Sequence, residues 1–147
     1  MSYQIDYVPY GMLSSVMPRL LPYFQKSELW TRGRATVDDI LKFLFTQHMQ
    51  LWLVHDPEIR DMIGYVITEL KQYPRRKMLV LQYCAGETQH MHYVESEMYA
   101  KLEAFAKAEG CDGIEFFGRP GWTRSAKQRG YSVQTVVYEK FFEGERT

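Results

Sequence analysis

The chain has 147 residues, 46 % hydrophobic and 15 % aromatic, and its 18 basic and 18 acidic residues cancel. That length suits a single domain, residues 1–147, with one substantial core, and the zero net charge excludes a whole-molecule field steering it to nucleic acid or an anionic membrane. Cys84 and Cys111 form neither a disulfide framework nor a metal-ligand pattern, no apolar run approaches the ~20 residues of a membrane span, and residues 1–6 lack a signal peptide's basic start, so a reduced, cytoplasmic location is expected.

Tyr3, Ile5 and Tyr7 alternate with polar neighbours, which predicts a half-buried first strand ending before Pro9. Met12, Val16, Leu20 and Phe24 share one helical face, but Pro18 and Pro22 each lack the donor of a continuous helix, so two short helical pieces are expected. Thr36 begins a clearer helix. Its hydroxyl can cap free amides, Asp38 and Asp39 sit where the helix dipole favours negative charge, and Val37, Ile40, Leu41, Leu44 and His48 make the inner stripe.

Leu51-Trp52-Leu53-Val54 is a continuous apolar run and reads as a central strand. Met62 to Lys71 and Met78 to Cys84 are the next two strands, turned by Tyr73-Pro74-Arg75-Arg76-Lys77, and the three should form an antiparallel meander. From Met91 to Glu109, Val94, Met98, Leu102, Phe105 and Ala106 recur at helical spacing, and Gly110 supplies a left-handed stop. A short strand at Gly113 to Phe117, a short helix at Trp122 to Arg129 and a long strand at Tyr131 to Phe142 follow, the last with Val133, Thr135, Val137 and Phe141 alternating. The polar tail Glu143 to Thr147 reads as flexible. The class is mixed α/β with several consecutive strands, an α+β arrangement around a mixed sheet.

This order resembles the GNAT acetyltransferases over nearly the full length, and Gly130-Tyr131 matches the Gly-Phe pair that closes the family's short helix. The resemblance implies that the strand before the long helix diverges from the strand after it, and that acyl-coenzyme A lies in the resulting cleft. Its pyrophosphate would rest on amides at the helix N-terminus, where free donors and the helix dipole favour an anion. On this chain those parts map to Leu81, Gln82, Tyr83 and Cys84 on the strand and to the loop Ala85 to His92, which makes Leu81, Tyr83, Gly86, Thr88, Gln89 and His90 the cofactor-binding residues and acetyl-coenzyme A the cofactor.

Two departures from the family pattern stand out. The loop holds one glycine, Gly86, with Glu87 and no basic residue, and the family's Asn, Ala and Tyr positions hold Arg119, Trp122 and Ala126. The tyrosine that often protonates the leaving thiolate is therefore replaced by Ala126. Arg119-Pro120-Gly121-Trp122 and Tyr73-Pro74-Arg75-Arg76 look like the small GNAT-like proteins of tailed bacteriophages and prophages, some of which are associated with virions.

Acyl transfer to an amine needs a base and donors for the oxyanion. Glu69 is the candidate catalytic base, with His90 and His92 as the other base candidates; the competing readings are a solvated strand face and a polar helix start. Cys84 is a nucleophile if a histidine lies beside it, and otherwise a buried structural thiol. Arg119, Arg124, Lys127 and Arg129 either grip phosphate or an acidic partner, or form a solvated helix face. Trp122 is either an interface anchor or a cover for the sheet edge. No metal site is expected.

Two functions follow from the resemblance. One is a divergent N-acyltransferase acting on an amine. The other is a catalytically silent fold serving as a virion component or protein-interaction module. A long last strand ending in Phe141-Phe142 adds the expectation of a homo-oligomer, because an exposed apolar edge invites pairing.

Overall fold

The computed structural model describes residues 3–56, 58, 61–86, 88–118 and 122–142, with the backbone alone at 61 and 88–94. Among them, five strands form one sheet in chain order: β1 (Gln4–Tyr7), β2 (Gln50–Asp56), β3 (Asp61–Gln72), β4 (Lys77–Gly86) and β5 (Gly113–Phe116). β1 to β4 run antiparallel, which bears out the meander, and β5 joins β4 in parallel, which makes the sheet mixed. Four helices cover it: α1 (Leu13–Trp30), α2 (Val37–Phe45), α3 (Thr88–Ala108) and α4 (Thr123–Gln128).

Both faces of the sheet are buried, which is why β2 reads as an unbroken apolar run. Trp52, Val54, Val66, Leu79 and Leu81 face Met98, Tyr99, Leu102 and Ala106 of α3. Leu51, Leu53, Tyr65 and Ile67 face Leu20 and Phe24 of α1 and Ile40 and Leu44 of α2. Each such side chain contributes about 1.5–3 kcal/mol by leaving water.

Polar groups buried between β2, β3 and α1 are paired. The indole Nε1 of Trp52 donates to Thr68 Oγ1 at 3.0 Å, and that hydroxyl donates to Gln50 Oε1 at 2.9 Å, which stitches β2 to β3. Ser27 Oγ and the Tyr65 hydroxyl share a hydrogen bond that ties α1 to β3. Thr36 caps α2 as expected: its hydroxyl accepts from the Asp39 amide at 3.2 Å while Asp39 accepts from the Thr36 amide at 3.0 Å. Gly110 ends α3 with φ of 74°.

Four expectations are corrected. α1 is continuous through Pro18 and Pro22. Both prolines sit on its exposed face, where the carbonyls they leave without a donor meet water, while Leu13, Leu20, Phe24 and Ser27 hold the opposite face against the sheet. His48 is not on the stripe of α2, because that helix stops at Phe45 and Gln47 takes φ of 60°. α3 starts at Thr88, three residues before the predicted Met91, so Thr88, Gln89 and His90 belong to its first turn and not to a loop.

The last correction is the largest. Tyr131–Phe142 is not a strand. The amide of Tyr131 bonds back to Ala126 at 3.0 Å, and among the described residues 132–142 make no backbone–backbone hydrogen bond. Alternating apolar residues specify a strand only where a neighbouring edge accepts it, and β5 offers four residues.

Candidate functional site

The site begins with one extra residue. Thr68 of β3 pairs with Leu81 of β4 and Ile67 pairs with Tyr83, so Gln82 is skipped and forms a bulge. Before it, Leu79 and Leu81 point to the α3 core; after it, Tyr83 and Ala85 point to the α1 and α2 core. The parallel pairing of β4 with β5 ends at the same place, with Leu81 opposite Phe116. From Gln82 to Gly86, β4 therefore has β3 on one side and, among the described residues, a free edge on the other, and α3 begins two residues further on. Pairing between these two strands thus stops where the resemblance places their divergence.

Glu69 lies beside the bulge on the α1 and α2 face. Its carboxylate accepts from the Gln82 amide at 2.7 Å through Oε1 and lies 2.8 Å from His48 Nε2 through Oε2. Its side chain is 16 % exposed and that of His48 is 54 % exposed, so Glu69 is not on a solvated strand face and His48 connects it to solvent. The ring of Phe43 lies 5.3 Å from that of His48 and backs it. Tyr83 stands on the same face, its phenol pushed above the ordinary value by burial and then by the carboxylates of Asp39 and Glu69. This is a recessed carboxylate with one fixed amide donor, an imidazole at 2.8 Å and a neutral phenol nearby, a set able to take a proton from a cationic amine.

The predicted cofactor residues fall along the free edge. Leu81 is the last β4 residue paired with β5, Tyr83 follows the bulge, and Gly86 ends the strand opposite Gly64. Thr88, Gln89 and His90 contribute first-turn amides of α3, donors that a helix leaves without internal partners. Their side chains, that of His92, and Glu87 lie outside the described residues, as do Arg119, Pro120 and Gly121.

Beyond β5 the structure places Arg129, Trp122 and Ala126. Arg129 donates to Ser96 Oγ at 2.9 Å, lies 3.6 Å from Glu95 Oε2 and sits over the Tyr99 ring, so it is engaged within the fold. Trp122 packs with its ring 6.4 Å from that of Phe116 and covers the α3 core. Ala126 is buried and brings no hydroxyl. Tyr99, 2 % exposed, buries a hydroxyl with no hydrogen-bond partner among the described residues beside the rings of Phe116 and Tyr131, and burial pushes that phenol up to about 12. Among the described residues no three His, Cys, Asp or Glu side chains converge on a metal position, and no helix is long and apolar enough to cross a membrane.

His48 and Gln82 were absent from the predicted site. Gln82 carried one signal, a polar residue inside the apolar run Leu79 to Tyr83. His48 carried none, because its reach to Glu69 depends on where α2 stops.

No protein-family model matches the chain, and no curated protein is similar to it in sequence. Solved structures are similar in shape. An aminoglycoside acetyltransferase from an uncultured soil metagenomic sample superposes with a TM-score of 0.71 at 14 % identity, over 97 % of this chain and 100 % of that one. A probable acetyltransferase gives 0.72 at 11 % identity, over 97 % and 99 % of the two chains. Glucosamine-6-phosphate N-acetyltransferase from Arabidopsis thaliana gives 0.66 at 10 % identity, over 97 % and 100 %. Element order, mixed sheet and these superpositions agree that the chain has the GNAT acetyltransferase fold.

Proposed function

We propose that the protein is an N-acyltransferase that uses acyl-coenzyme A and a primary amine. The observation that carries this reading is the coincidence of the Gln82 bulge, the end of β4–β5 pairing and the recessed Glu69 carboxylate at one point of the sheet. A free strand edge running into a helix start suits a pantetheine arm and its phosphates, with Leu81, Tyr83 and Gly86 along the arm and the amides of Thr88, Gln89 and His90 at the anionic end. Acyl-coenzyme A, when bound, supplies the activated acyl group. Glu69 takes the proton of the incoming ammonium, Gln82 and His48 hold the carboxylate in place, and His48 passes charge or proton to solvent.

A second reading, favoured by the alanine at position 126 where a hydroxyl donor would stand, is a catalytically silent fold used as an interaction module, including a structural role in a phage virion. Calorimetric titration of acetyl-coenzyme A into the purified protein separates the two. Micromolar binding that is lost in Gly86→Glu supports the acyltransferase; absence of binding leaves the interaction module.

A further inference from the structure

The segment 131–142 is anchored on both faces of the sheet. At its start, Tyr131 packs with the α3 core, its ring 5.2 Å from that of Tyr99 and 5.6 Å from that of Phe116, the β5 residue opposite Leu81. Near its end, Glu139 pairs with Arg32 and with Arg34, the latter at 2.8 Å, and the Arg32 guanidinium lies 5.9 Å from the centre of the Phe141 ring. Those arginines follow α1, which packs on the opposite face and whose Ser27 is bonded to Tyr65, the ladder partner of Ala85. Both anchors thus stand at or beyond the level of Leu81 on β4, one on each side of the sheet.

Distance fixes the route between them. The eight peptide steps from Tyr131 to Glu139 span at most about 29 Å. A path round β1 would cross four strand spacings, about 19 Å, before turning the sheet and coming back, and is too long. The segment therefore passes on the β5 side, beyond Phe116, across the edge of β4 that runs free from Gln82 to Gly86 among the described residues. It crosses without joining the sheet. Among the described residues, 132–142 make no backbone–backbone hydrogen bond, and Val133, Val136, Val137 and Tyr138 are 58, 66, 67 and 91 % exposed. An extended ligand with amides and apolar stretches, laid along β4, would meet hydrogen-bonding groups on the strand and apolar side chains on the segment above it.

We infer that 131–142 is a strap that closes over an acyl-coenzyme A arm lying along the free edge of β4, and that the pairing of Glu139 with Arg32 and Arg34 latches it. The inference rests on the acyltransferase reading. The latch is made of groups that can part. Arg32 takes φ of 54° and Gly33 φ of 84°, a left-handed turn from which both arginines reach one carboxylate. Hydrogen bonding from Arg34 holds the Glu139 carboxyl below its ordinary value, so the latch is charged at neutral pH. The two arginine side chains are 54 and 55 % exposed, and ion pairs so exposed are weak and screened by salt. The aromatic anchor at Tyr131 stays in place while the Glu139 end swings. Because the latch is closed in the free protein, it slows entry of acyl-coenzyme A and exit of coenzyme A alike.

Surface plasmon resonance of acetyl-coenzyme A over the immobilised full chain tests this with two variants, Glu139→Gln and the double variant Arg32→Gln/Arg34→Gln, which open the latch from its two sides. Each is expected to raise the association and dissociation rates together, about tenfold, and to change the affinity less than about threefold. Thermal midpoints should stay within about 2 °C of the wild type, since the latch is a surface ion pair. Binding that appears only in the variants would also support the strap, as a latch shut in the wild type. Wild-type binding with rates indifferent to both variants would overturn the strap and leave the acyltransferase reading standing. A fall in association rate in the arginine variant would mean that those guanidiniums hold the ligand directly, and would overturn it too. Absence of binding in all three proteins would overturn both readings.

Discussion

Gln82 donates its side-chain amide to Oε1 of Glu69 over 2.7 Å, and it is also the residue that the β3–β4 ladder skips. The irregularity of the strand and the orientation of the carboxylate are thus one arrangement. For the acyltransferase reading, Glu69→Gln should lower kcat for amine acetylation about 10²- to 10³-fold, the range of a lost general base, while calorimetry shows acetyl-coenzyme A affinity unchanged. Gln82→Ala should leave the base present but less well held and lower kcat about tenfold.

The bond between Ser27 and Tyr65 joins two side chains that are 2 % and 0 % exposed. Ser27→Ala strands the Tyr65 hydroxyl in an apolar core and should cost about 1–3 kcal/mol; Tyr65→Phe should cost a similar amount by stranding Ser27. The double variant removes both polar groups, so its loss should be smaller than the sum of the two. Urea midpoints for the four proteins close the cycle.

Pro18 and Pro22 interrupt the hydrogen-bond ladder of α1 on a face that packs against nothing. Alanine at either position restores a backbone donor and removes a ring clash, an effect of up to about 3 kcal/mol, against less than about 1 kcal/mol lost through a freer unfolded chain. Pro18→Ala and Pro22→Ala should each raise the thermal midpoint. A fall in either would show that the proline shapes the fit of α1 on the sheet.

Burial raises the phenols of Tyr65, Tyr83, Tyr99 and Tyr131 above the ordinary 10.0. A phenol raised in the fold favours folding while neutral, so its contribution is complete below pH 10 and is lost as pH climbs through the folded value, about 12 for Tyr99. Phenolate absorbance from these four should therefore develop together with loss of far-ultraviolet dichroism, between about pH 10 and 12. Tyr99→Phe deletes a hydroxyl that has no partner among the described residues, and should shift the alkaline midpoint upward without lowering stability at neutral pH.

Most of the fold was legible because period and punctuation agreed. Thr36 with Asp39 marked the start of α2, the apolar run 51–54 marked a doubly covered strand, and Gly110 marked the end of α3. The prolines of α1 misled because local propensity is outweighed by a long packed face, and 131–142 misled because alternation states a preference without naming a partner. Glu69 could be picked from its place on a strand. Its partners could not, since Gln82 reaches it through a skipped register position and His48 through the stopping point of a helix.

Strand side chains alternate with a period of two, so the surplus residue at position 82 changes the parity of β4. A lesion that removed both Gln82 and Tyr83 would swing Cys84 toward α1 and α2 and Ala85 toward α3. Removal of Gln82 alone would join Leu81 to Tyr83 in plain alternation, leaving Tyr83, Cys84 and Ala85 facing as they do and taking from Glu69 its amide donor. Position 82 is thus a place where the sheet accepts the loss of one residue and the carboxylate of Glu69 does not.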